Sequence, residues 1–155
     1  MVALGTLVAL ALAGCPSTPS APPAPVVERS NLKVTLPDGW KATPAPGGLQ
    51  AGPGARVVLE LESSSRPLPT GAALVASVQE QGGVVQQKED VGDFVGVLYL
   101  LGGADAGAPS GFLGARQAGK KTVWCATTAG ASAAEVAQAW EVCARVRWAG
   151  ADGGD

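Results

Sequence analysis

Glu60 and Glu62, the acidic run Glu89 to Asp93, Ser110 with Lys120 and Lys121, and three cysteines are the residues whose types could do chemistry. Paired carboxylates can share acid/base work, and Glu60 and Glu62 fall on one face of a strand-like run. Neither is paired in sequence with a nucleophile or a metal ligand, so a solvated sheet face is expected there. Glu89, Asp90 and Asp93 lack the oxygen-ligand spacing of a calcium loop and read as a solvated turn. Gly114 to Lys121 imitates a phosphate-binding loop. Lys121 stands where Ser or Thr must reach magnesium, however, and Thr122-Val123-Trp124-Cys125 continues as strand instead of helix, so no phosphate site is expected. The chain has no histidine. A hydrolase would therefore need a Ser–Lys or paired-carboxylate arrangement, with Ser110 beside Lys120 and Lys121 the one candidate. These readings leave no catalytic residue, no metal ligand set and no cofactor to be expected.

Cys15 stands apart from the other two cysteines. It closes Leu12-Ala13-Gly14-Cys15, which follows an apolar run from Val2 to Ala11 and precedes Pro16, Pro19, Pro22, Pro23 and Pro25. A helix from Val2 to Cys15 would span about 20 Å at roughly 1.5 Å per residue, short of a hydrocarbon core of about 30 Å. An apolar run of about 7 to 15 residues ending in small residues has the size of a signal-peptide core. The prolines after Cys15 could not continue a regular element. This stretch resembles a bacterial lipoprotein signal. The resemblance implies that residues 1–14 are removed, that Cys15 carries the lipid, and that the protein is exported and anchored in the cell envelope. Pro16 follows the cysteine where the inner-membrane retention signal of such lipoproteins is Asp, which implies the outer membrane where a cell has two. The first charged residue is Glu28, so the signal lacks its usual Lys or Arg, which leaves room for a start codon upstream.

Residues 15–29 then read as the lipidated cysteine and a proline-rich tether, reaching at most about 40 Å at roughly 3.1 Å per residue. Residues 30–149 are expected to form a single α+β domain, and residues 150–155 a disordered tail. With 46% hydrophobic and 15% charged residues the chain favours a packed core over disorder. Its net charge of -2 with scattered Lys and Arg gives no electrostatic case for nucleic acid as a partner.

Asn31 to Leu36 and Arg56 to Glu62 alternate with a period of two, the second placing Val57, Leu59 and Leu61 inward. Between them Pro37-Asp38-Gly39-Trp40 marks a turn and the stretch to Gly54 reads as loop, with room for a short strand near Leu49. Thr70 can cap a helix from Gly71 to about Gln81, with Leu74, Val75 and Val78 as its apolar stripe and Gly82-Gly83 as its stop. Strands follow at Val84–Lys88, Phe94–Leu101, Phe112–Ala118 and Lys121–Thr127. Ser132-Ala133-Ala134-Glu135 has the form of a capping box, opening a helix whose Val136, Trp140 and Cys143 share a face and which should end near Arg147. The fold class is thus α+β: an antiparallel sheet of about six strands with two helices packed on it.

Once the lipoprotein resemblance assigns Cys15 to lipid, Cys125 and Cys143 remain as an even pair in an oxidising setting. Cys125 shares a strand face with Val123 and Cys143 lies on the apolar stripe of the last helix, so a disulfide between them would staple helix to sheet. A redox-active pair would want Cys-x-x-Cys spacing and a cationic neighbour, and a metal would want more ligands. Trp140 reads as core. Trp40 and Trp124 could line an aromatic ligand cleft or simply pack.

The order of elements, with Leu36-Pro37-Asp38-Gly39-Trp40 closing the opening strand and a helix closing the chain, resembles the PsbP-like and Mog-like α/β/α sandwich. That resemblance implies protein binding or assembly with no shared catalytic residues. The expectation is a lipid-anchored, non-enzymatic envelope protein that binds another protein or envelope component. The alternatives are a small-ligand carrier using Trp40 and Trp124, and an envelope hydrolase.

Overall fold

Alternation of branched and polar residues builds most of the molecule. The computed structural model describes residues 24–101 and 110–150. Five strands, β1 (Val26–Arg29), β2 (Leu32–Thr35), β3 (Trp40–Ala45), β4 (Gly48–Pro53) and β5 (Leu59–Ser64), precede helix α1 (Gly71–Glu80). Next come β6 (Val84–Val91), β7 (Phe94–Leu100), β8 (Gly111–Ala118) and β9 (Lys121–Thr127), then α2 (Ala133–Arg145) and the short β10 (Arg147–Trp148). The protein is α+β. Its main sheet has seven antiparallel strands, not six, in the order β3-β4-β5-β9-β8-β7-β6, and β1-β2-β10 form a separate three-stranded sheet.

The additional strands occur where proline and glycine blur the pattern. β3 contains Pro44 and lies at the sheet edge, where a missing N–H can be tolerated. β1 occupies the last four residues of the stretch expected to be tether, so that boundary moves back to Pro25, whose carbonyl accepts a hydrogen bond from Leu36 N at 3.0 Å. Ser30 and Asn31 join β1 to β2 with φ of 51° and 60°, the two left-handed residues of a type I′ hairpin turn. β5 begins at Leu59, and Val58 instead of Val57 is fully buried, because Val58 N bonds back to Ala51 O before the strand starts. The acidic run is strand through Val91, leaving only Gly92 and Asp93 in the turn.

The helices pack on opposite faces of the main sheet. On one face Val136, Ala139, Val142 and Cys143 of α2, with Leu32, Val34 and Leu36 from the small sheet and its exit, meet Leu49, Leu59, Leu61 and Val123. On the other face Leu74 and Val78 of α1 meet Val95, Val97 and Ala115. A fully buried Leu or Val contributes about 1.5–3 kcal/mol, so these two clusters are what fix the layers.

Capping sets the helix starts. Thr70 Oγ1 accepts from Ala73 N at 3.2 Å, and Asp90 on β6 accepts from Gly71 N at 2.7 Å, supplying the anion that the first turn of α1 lacks. In α2, Ser132 Oγ accepts from Glu135 N at 3.3 Å while Glu135 Oε2 accepts from Ser132 N at 2.8 Å, which completes the expected box. Cys143 is disulfide-bonded to Cys125 of β9, with Cα atoms 6.1 Å apart and neither residue more than 1% exposed. The bond joins α2 to the sheet as the sequence predicts.

Candidate functional site

Cross-strand registration brings the polar residues of β4, β5 and β9 onto one sheet face. Glu60 of β5 stands between Gln50 of β4 and Ala126 of β9, and Glu62 stands between Gly48 and Trp124. Continuing across β8, Ala126 faces Leu113 and Trp124 faces Ala115. These residues share the face on which α1 packs. That helix covers β6, β7 and part of β8, and among the described residues no element covers the same face of β4 and β5.

The uncovered half-face forms a shallow groove of about 230 Å³ lined by Gln50, Glu60, Glu62, Leu113 and Trp124, with Pro46 at its rim. Gln50 Nε2 donates to Glu60 Oε1 at 3.0 Å. Glu60 and Glu62 are both exposed, and neither takes part in the ion pairs among the described residues. Trp124 is part-buried against α1's cluster, and the Arg66 guanidinium lies 5.6 Å from its ring centroid. Trp124 Nε1 is the one buried side-chain polar atom without a hydrogen-bond partner among the described residues. An unmet buried donor costs about 1–3 kcal/mol.

Trp40 belongs elsewhere. It is 6% exposed in the core cluster shared with Leu59 and Cys125, on the face opposite Trp124. The aromatic cleft that would combine the two tryptophans is not formed. Three surface hollows measure about 230, 280 and 250 Å³, below the roughly 300–1,000 Å³ usual for small-molecule sites.

The other residues singled out for chemistry are dispersed. Ser110 lies just before β8, while Lys120 and Lys121 lie beyond its other end, a strand length of roughly 25 Å away. Ser110 Oγ instead accepts from Leu101 N at 2.8 Å. A different pair does meet: Lys121 Nζ donates to Ser65 Oγ at 2.7 Å. Ser65 is exposed on the loop after β5, outside the groove, and this contact is a surface hydrogen bond with no third group attached to either side chain among the described residues. Gly114 to Lys121 run through the tip of the β8–β9 hairpin, and Lys121 opens a strand. Asp90 caps α1 and Asp93 pairs with Arg116 at 2.7 Å, so the acidic run splits between two structural tasks. Among the described residues no three His, Cys, Asp or Glu side chains gather to hold a metal.

Two ionisable groups are perturbed. Hydrogen bonds from Ser132, first its backbone N–H and then its hydroxyl, hold the Glu135 carboxyl below the usual range, and Arg56 beside it acts in the same direction. Burial pushes the Tyr99 phenol up. Both lie outside the groove. Cys15 lies outside the described residues, and among those described no helix is long and apolar enough to cross a membrane.

No family model, curated protein or solved structure matches the chain.

Proposed function

We propose that this is a lipid-anchored cell-envelope protein, attached through Cys15, whose domain binds a partner protein or envelope component and carries out no chemistry of its own. The observation that carries the reading is the fully buried Cys125–Cys143 cystine, because such bonds form and persist in oxidising, extracytoplasmic compartments. Leu12-Ala13-Gly14-Cys15 supplies the anchor and Pro16 favours the outer membrane of a two-membrane cell. The half-open sheet face beside Trp124 supplies the binding surface. Helices on both sheet faces support kinship with the PsbP-like and Mog-like sandwich, in which protein binding is the usual role.

Metabolic labelling with a fatty-acid analogue, comparing wild type with Cys15→Ser, tests the anchor. The label should be lost in the variant, and equal labelling would overturn the lipoprotein reading.

A further inference from the structure

Deepening the binding role proposed above, we infer that the Trp124 groove receives a lysine or arginine side chain from a basic segment of a partner protein. Glu60 and Glu62 point to the same face of β5, about 7 Å apart at roughly 3.3 Å per residue, and offer only acceptor oxygens. Gln50 occupies one oxygen of Glu60, and no Lys or Arg among the described residues forms an ion pair with either carboxylate. Neither carboxylate is neutralised by a direct ion pair, and the complement of two carboxylates is a cationic donor.

The aromatic wall selects in the same direction. Arg66 lies 5.6 Å from the centroid of the Trp124 ring, so an incoming cation would meet the part of the indole that this guanidinium leaves open. Volume narrows the occupant further. About 230 Å³ suits one long side chain better than a whole small-molecule ligand. The groove also opens on the face opposite the one where β2 and α2 pack. The small sheet, with β1 paired to β2, therefore leaves the groove clear.

The test uses the full chain in detergent and titrates it with blocked pentapeptides Gly-Gly-Xaa-Gly-Gly, Xaa being Arg, Lys, citrulline or Glu, and with a tetramer of N-acetylglucosamine. The readout is the indole N–H resonance of Trp124, assigned by its disappearance in Trp124→Phe. The Arg or Lys peptide should move that resonance, the citrulline and Glu peptides should not, and Glu60→Gln/Glu62→Gln should weaken the response at least tenfold. Both substitutions are at exposed positions and leave the core untouched. An undiminished response in the double variant, or a shift with the sugar and none with the basic peptides, would overturn the proposal. Either result would leave the anchor standing, since Cys15 labelling reads it separately.

Discussion

Gly96 of β7 and Gly114 of β8 stand directly opposite one another, and the Trp140 ring of α2 closes over the recess they leave. Trp140 also meets Phe94 edge-on and Phe112 at a tilt, each with ring centroids 5.3 Å away. A Cβ on Gly114 would come within 2.5 Å of the Phe112 ring and 3.0 Å of Val95 O, and one on Gly96 within 3.1 Å of Trp140 itself. The missing side chain at Gly96 makes room for the indole, and the one missing at Gly114 makes room for the Phe112 ring on which the indole packs.

Gly114→Ala should therefore overpack the aromatic cluster and lower stability by about 1–3 kcal/mol. Urea unfolding followed by tryptophan fluorescence checks it. A midpoint equal to that of wild type would mean that the rings shift freely and the recess is not needed.

The cystine closes a separation of 18 residues, for which chain-entropy reasoning gives about 3 kcal/mol. Cys125→Ala/Cys143→Ala should lower Tm by on the order of 10 °C. The same loss should follow when the wild type is unfolded under reducing conditions. Calorimetry in both states measures it, and an unchanged Tm would show that packing alone holds α2.

Glu135 gives a pH dependence whose sign is fixed by its lowered proton affinity in the folded state. Its stabilising contribution is complete above the ordinary unfolded carboxyl value and is lost as pH falls through the lower folded value. The stability gap between wild type and Glu135→Gln should accordingly shrink as pH drops from 6 towards about 2.5. Denaturant unfolding at both pH values tests this, and a constant gap would mean that the carboxylate's charge is not what caps α2.

Much of this fold is legible in the residues themselves. Ser132 and Glu135 announce the start of α2, and Thr70 with Gly82 brackets α1, because capping is a local matter of backbone donors and φ. Cys125 and Cys143 are the pair left once the lipoprotein resemblance sets Cys15 aside, and period-two and helical periodicity put both on inward faces. What escapes is set by distant contacts. Pro44 argues against a strand until its place at the sheet edge is known, and β10 is only two residues long, existing because β2 presents Lys33 and Leu32 to it. Val26 to Arg29 look like tether because their prolines upstream dominate the local composition.

The groove was legible only in part. Glu60 and Glu62 show as a polar face, but that Trp124 borders them depends on β9 crossing between β5 and β8, a pairing no local pattern encodes. The unpartnered Trp124 Nε1 has no sequence signal at all.

The β1–β2 hairpin also gives the molecule a particular response to tension. Its entry at Val26 and the exit from Thr35 into the body of the domain are register partners, so both lie at the same end of the ribbon, where Leu36 N also bonds Pro25 O. A pull on the amino-terminal side would peel four rungs in succession, beginning at Val26, instead of shearing them together. Only β1 would be stripped this way, as a slack-releasing clasp, because β2 is held by β10 on its other side and by the buried Leu32 and Val34.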